Sequence, residues 1–225
     1  MAANDPSVAR RELLIRLRWI LWGSVFLLAI AAAILYGMHR HSAPKTTAVP
    51  VTDAPAVTWA AGARVAPNFH LTDQNGKPVS LIGLRGRPVL VTFIDPLCRN
   101  YCPIEAQRLN DVVNAFPQGS KPAIVAVSVN VYGNAHSILM EDARKWKLVP
   151  QWRWAVGHPA VLSRVWNAYH VEVLATTKTL AGVTVHTIAH TEGAYLIDSK
   201  GFERALFLWP YGAAGVVQTL RTLTS

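Results

Sequence analysis

Cys98 and Cys102 are the only thiols in the 225-residue chain, and their spacing frames the chemistry open to it. Both follow a continuous apolar run at a point where the pattern turns helical, and in open α/β sheets that strand end is where sites gather. Four residues apart, two sulfurs come onto one face once the helical turn opens. They can then close a disulfide or chelate one soft metal ion. A helix N-terminus favours negative charge, so it supplies the thiolate that either task requires. A purely stabilising disulfide is the plain alternative. A five-residue loop is worth only about 2 kcal/mol, against about 4.7 kcal/mol for 100 residues, so a staple more often joins distant segments. Two cysteines also exclude a four-cysteine zinc site and a disulfide-stapled mini-protein.

The elements that must position this pair can be read on either side of it. Pro88–Asp95 is apolar throughout, the pattern of a strand buried on both faces. Ile104–Phe116 carries Ala106, Leu109, Val112, Val113 and Phe116 at helical spacing, with Pro103 at a favourable first-turn position. Ala123–Val129 is a second buried strand, Ser137–Leu148 an amphipathic helix, Arg153–Val156 a short strand and Pro159–Tyr169 a further helix. Ala194–Asp198 and Ala205–Leu208 form a hairpin through Ser199-Lys200-Gly201, and a last helix covers about Gly212–Leu223. An N-terminal hairpin is expected from Phe69-His70-Leu71, the Asp73–Pro78 turn and Val79-Ser80-Leu81. The order predicts an α/β layered domain with a mixed sheet.

Ahead of it, twenty uncharged residues run from Trp19 to Met38. At about 1.5 Å per residue they span roughly 30 Å, the thickness of a bilayer's hydrocarbon core. Trp19, Trp22 and Tyr36 mark the two ends. A cleaved signal peptide would have a shorter apolar region and a small-residue cleavage site, and neither is present. Arg10, Arg11, Arg16 and Arg18 precede the run, whereas only Arg40 and Lys45 follow closely. The positive-inside rule then leaves the N-terminus cytoplasmic and sends the rest across the membrane, where disulfides can persist. The expected organisation is a cytoplasmic arm at 1–18, a transmembrane helix at 19–38, an extracytoplasmic linker at 39–63 and the domain at 64–225. The linker is rich in Ala, Thr, Val and Pro and reads as a semi-extended spacer. The net charge of +9 is spread along the chain without a dense Lys/Arg block, which excludes a nucleic-acid-binding patch.

Residues 64–225 resemble the Sco/SenC family of membrane-anchored, thioredoxin-like copper proteins. The likeness is carried by Ala66-Pro67-Asn68-Phe69 with the Asp73–Gly76 turn, by Pro88–Phe93, and by Cys98-x-x-x-Cys102-Pro103. It continues through Trp166-Asn167-Ala168-Tyr169 and through His190-Thr191-x-x-x-Tyr195-Leu196-Ile197-Asp198 with Gly201. The resemblance implies a thioredoxin-like fold and copper, as Cu(I) or Cu(II), held by Cys98, Cys102 and His190. It also implies a role in preparing the copper centre of a haem–copper respiratory oxidase, with that oxidase's copper-binding subunit as partner. The ligand types agree with the chemistry: thiolates select Cu(I), and an added imidazole gives a set able to hold either oxidation state. His186 is the fallback nitrogen ligand. His39 and His41 read as interfacial, and His70, His136, His158 and His170 as structural or solvent-exposed.

The segment departs from the family's Thr-x-Cys-Pro-Asp-x-Cys-Pro. Arg99-Asn100 stands in place of Pro-Asp, and Pro96 in place of Thr. A cation gained and a carboxylate lost should lower the thiol pKa values. That change suits an alternative function, an extracytoplasmic thiol–disulfide oxidoreductase with Cys98 and Cys102 as a redox pair acting on another thiol protein. A peroxiredoxin fits less well, because Asp95 stands where that family's active site resembles a Thr.

Overall fold

Residues 6–41 and 50–224 are described by the computed structural model. Residues 1–5 of the expected N-terminal arm and 42–49 of the expected linker lie outside the described residues. The chain divides into two units, Met1–Ala48 and Val49–Ser225. The first holds helix α1 (Pro6–His41), in which Arg16–Tyr36 is long and apolar enough to cross a membrane. The helix continues past both ends of the apolar run Trp19–Met38, since nothing at either end breaks it.

The second unit opens with β1 (Val57–Thr58), then the small hairpin β2 (Leu71–Thr72) and β3 (Pro78–Val79). Next come β4 (Val89–Ile94), α2 (Tyr101–Asn114), β5 (Ala123–Ser128), α3 (His136–Lys145), β6 (Trp152–Ala155) and α4 (Pro159–Ala168). The chain ends with a hairpin of β7 (Val173–Leu180) and β8 (Val183–His190), then β9 (Gly193–Ile197), β10 (Glu203–Leu208) and α5 (Ala213–Thr224). Six strands form one sheet in the order β1-β10-β9-β4-β5-β6. β4, β5 and β6 are parallel, whereas β9 runs antiparallel to both β4 and β10.

β4 is buried along its whole length because both faces of the sheet are covered. Leu90 and Ile94 face α2, α3 and α5 in a core with Leu109, Leu139 and Leu220. Val89, Val91 and Phe93 point the other way, toward Leu162, Val165 and Tyr169 of and beside α4. Two-sided burial explains why this strand reads as a continuous apolar run rather than an alternating one.

Residues 50–63, expected in the spacer, are docked on the domain. Ala56 N–H donates to the Leu206 carbonyl (2.8 Å) and Trp59 N–H to that of Arg204 (3.0 Å), so β1 extends the sheet beyond β10. Upstream, Gly215 N–H of α5 donates to the Asp53 carboxylate (3.1 Å). A Cβ at Gly215 would stand 1.8 Å from the Asp53 carbonyl oxygen, so only glycine permits this approach. The boundary expected at 63/64 therefore falls near residue 49, because backbone pairing along β10 outweighs the spacer-like composition.

The β7–β8 hairpin was not anticipated. Its described side chains are almost all exposed, so the burial that imprints a period of two on other strands is absent here. Its formation makes His190 the last residue of a strand.

Candidate metal centre

Three backbone features place the two sulfurs. β4 ends at Ile94, and the Asp95 carboxylate accepts Leu97 N–H (2.8 Å) while its carbonyl accepts Cys98 N–H (3.0 Å), which turns the chain sharply. α2 then starts at Tyr101, earlier than the expected Ile104, because Pro103 sits within the first turn, where no N–H is required. Cys98 thus lies half-buried before the helix, and Cys102 is buried on its inner face. Both are free thiols.

The pair is electrostatically unequal. Cys102 N–H points at Cys98 Sγ (3.4 Å), as do the neighbouring amides of Asn100 and Tyr101. The thiol of Cys102 hydrogen-bonds the same sulfur, and this contact contributes most to lowering the Cys98 pKa to about 5. The reciprocal effect pushes Cys102 far up, reinforced by its burial. As a thiol, Cys98 donates to Asn100 Oδ1 (2.9 Å). Arg99, expected to lower the thiol pKa values, points elsewhere. Its guanidinium donates to the carbonyls of Pro96 (2.8 Å) and Cys98 (2.9 Å) and pairs with Asp142 of α3 at 3.4 Å. The polarisation of Cys98 comes from its partner thiol and from the helix N-terminus.

His190 reaches the cysteines from the end of β8. Its Nδ1–H donates to the Thr191 carbonyl (3.1 Å), which leaves Nε2 with its lone pair free. Burial lowers its pKa and keeps the ring neutral, the form that ligates. A ring nitrogen of His190, Cys102 Sγ and a carboxylate oxygen of Glu192 all lie within 4.8 Å of one another. Burial pushes the Glu192 pKa up to about 7. His190 and Glu192, together with Cys98, Asp95, Tyr101 and Asn130, line a cleft of about 520 Å³, and Cys102 is buried rather than part of its lining. His186, the fallback ligand, lines the same cleft but is engaged differently: it stacks on Tyr132 (4.3 Å between ring centroids), and its Nδ1 bonds Thr177 Oγ1 at 3.0 Å.

Two acids were missed in the sequence. Glu192 carries no signal beyond its place two residues after His190. Glu105 does carry one: it falls on the apolar face of α2 with Cys102, Ala106 and Leu109. It is buried, accepts from Thr92 Oγ1 (2.9 Å) and Tyr211 OH (2.8 Å), and burial raises its pKa to about 7.

A mixed sheet with a Cys-x-x-x-Cys turn beyond its central strand defines a thioredoxin-like dithiol domain, here with an imidazole beside that turn. The chain belongs to the SCO1/SenC family, whose model matches residues 58–225. Among solved structures it is similar to copper-bound Bradyrhizobium japonicum ScoI, at 24% identity and a TM-score of 0.61, over 71% of this chain and 99% of that one. Copper-bound yeast Sco1 follows at 18% identity and TM-score 0.62, over 72% and 88%. The thioredoxin domain of a thiol–disulfide oxidoreductase from Bacteroides vulgatus matches at 21% and 0.53, over 74% and 100%. No curated protein sequence matches this chain. At these identities the solved structures establish the fold.

Proposed function

We propose that this chain is a membrane-tethered copper-binding protein that delivers copper to, or prepares, the copper centre of a haem–copper respiratory oxidase. One observation carries the reading: a neutral histidine with its Nε2 lone pair free stands beside a thiol pair in which one sulfur is already polarised toward thiolate. Soft sulfur donors with one imidazole suit Cu(I) and accommodate Cu(II), so the donor set fits the cargo. Cys98, Cys102 and His190 hold the ion, and Thr191 fixes the imidazole tautomer. When a disulfide of another protein takes two electrons from the sulfurs by exchange, the Cys98–Cys102 disulfide that forms removes both thiolates and releases the cargo, which couples occupancy to the redox state of the compartment.

The apolar stretch of α1 is the tether, with the N-terminus cytoplasmic and the domain outside. A reporter fused after Ser225 is then active only on the extracytoplasmic side, and activity confined to the cytoplasm contradicts the topology. For delivery, copper-loaded protein mixed with the soluble copper-binding subunit of a respiratory oxidase should generate that subunit's copper-centre absorption. Copper retained on this chain contradicts delivery.

The inequality of the sulfurs favours a second reading, thiol–disulfide exchange. The Cys98 thiolate attacks a partner disulfide and releases one partner thiolate. Cys102 gives up its proton and attacks Cys98 Sγ, freeing the second partner thiolate and leaving a Cys98–Cys102 disulfide. The partner gains two electrons and this chain loses them. The exchange does not require His190, so His190→Ala separates the two readings.

A further inference from the structure

We infer that Glu192 is an oxygen ligand that completes the site for Cu(II) and discriminates it from Cu(I). This rests on the copper reading above and adds a fourth donor to its sulfur and nitrogen set. Donors about 2.0–2.3 Å from one ion stand at most about 4.5 Å apart. The 4.8 Å within which Cys102, His190 and Glu192 present their ligand atoms needs only a few tenths of an ångström of closure. Glu192 Oε1 lies 3.9 Å from His190 Nε2, the nitrogen that Thr191 leaves free.

Nothing else explains the carboxylate. Its side chain is only 19% exposed, and among the described residues no Lys or Arg lies within 4.0 Å of it. Its backbone is nonetheless fixed. The carbonyl of Glu192 accepts Trp209 N–H (3.1 Å), and Gly193 packs so closely that a Cβ there would stand 2.6 Å from the Phe207 carbonyl oxygen. The side chain is thus aimed by β9 and β10 into the cleft that also holds Cys98 and His190.

Two thiolates and an imidazole satisfy Cu(I), whereas Cu(II) prefers four donors in a tetragonal arrangement and accepts oxygen. Two thiolates and a carboxylate leave one net negative charge with Cu(II) and two with Cu(I). In a half-buried cleft the second charge is the costlier one. The carboxylate therefore favours the oxidised ion on both coordination and charge.

The test uses the full, reduced chain in detergent, loaded with either ion, as wild type, Glu192→Gln and Glu192→Asp. Electron paramagnetic resonance reports the Cu(II) ligand set, and chelator competition reports both affinities. The Gln variant should lose about tenfold or more in Cu(II) affinity, change its parallel hyperfine splitting, raise the Cu(II)/Cu(I) midpoint potential and keep its Cu(I) affinity. The Asp variant retains a carboxylate and should retain the wild-type spectrum. A Gln variant matching wild type in spectrum and affinities overturns the inference, as does an Asp variant that loses what Gln loses. Wild type that binds neither ion overturns the copper reading and this inference together.

Discussion

Cys102 donates its backbone N–H toward Cys98 Sγ across 3.4 Å, and its thiol hydrogen-bonds the same sulfur. Residues one helical turn apart thereby acquire opposite acidities: Cys98 is poised as the thiolate, and Cys102 holds the shared proton.

This asymmetry gives a pH profile. With a pKa of about 5, against an ordinary value of 9.0, Cys98 should react with iodoacetamide at half its maximal rate near pH 5, while Cys102 stays unmodified in the folded protein. Between those two values the unfolded chain binds more protons at Cys98 than the folded one. This site's contribution to the stability of the reduced protein therefore grows as pH rises through that window and is lost as pH falls through about 5. Equal labelling of both cysteines at pH 6 contradicts the assignment.

Arg99→Ala should leave the Cys98 titration where it is, because the guanidinium engages backbone carbonyls and Asp142 rather than sulfur. The guanidinium is largely exposed, so the loss in stability should be about 1 kcal/mol or less. A Cys98 titration shifted upward in this variant would restore Arg99 to the thiolate's environment.

Glu105 acts with the opposite sign. Its folded pKa of about 7 lies above the ordinary 4.5, so between these values the folded state binds more protons. Its contribution is complete below 4.5 and lost as pH rises through 7. Glu105→Gln keeps an acceptor for Thr92 and Tyr211 but cannot ionise. Urea unfolding of the reduced protein at pH 5 and pH 7 should show the variant gaining more stability, or losing less, than wild type on going to pH 7. Parallel pH dependences contradict this.

Much of the fold was legible because burial writes period into sequence. β4, β5 and the helices α2 to α5 lie within a few residues of their expected bounds, since each presents an apolar face to one of two cores. Cys98 and Cys102 are where a strand-to-helix turn puts them. Two regions were misread, for different reasons. β7–β8 is held by its own backbone ladder and buries little, so Thr-rich, exposed strands left no pattern. Residues 50–63 join the domain through main-chain bonds to β10 and the Asp53–Gly215 contact, and neither depends on an apolar pattern. Glu192 was invisible because its approach to Cys102 and His190 exists only in three dimensions.

The docked segment yields its own test. Gly215→Ala should drive Asp53 away from α5, since the added methyl carbon would overlap its carbonyl oxygen. Limited proteolysis should then cut within 50–60, a stretch expected to resist cleavage in wild type, and amides of Ala56 and Trp59 should exchange faster. Unchanged protection would mean that the segment is held without this close approach.

Copper binding by the reduced full chain tests the central claim most directly. Cu(I) and Cu(II) are titrated against a competing chelator for wild type, Cys98→Ser, Cys102→Ser and His190→Ala. Wild type should bind one ion of either kind, and each serine variant should lose both. His190→Ala should lose most of its Cu(II) affinity while its cysteines still form and exchange a disulfide. A reduced wild type that binds no copper at micromolar concentrations, yet exchanges disulfides normally, contradicts the account and leaves the thiol–disulfide reading in its place.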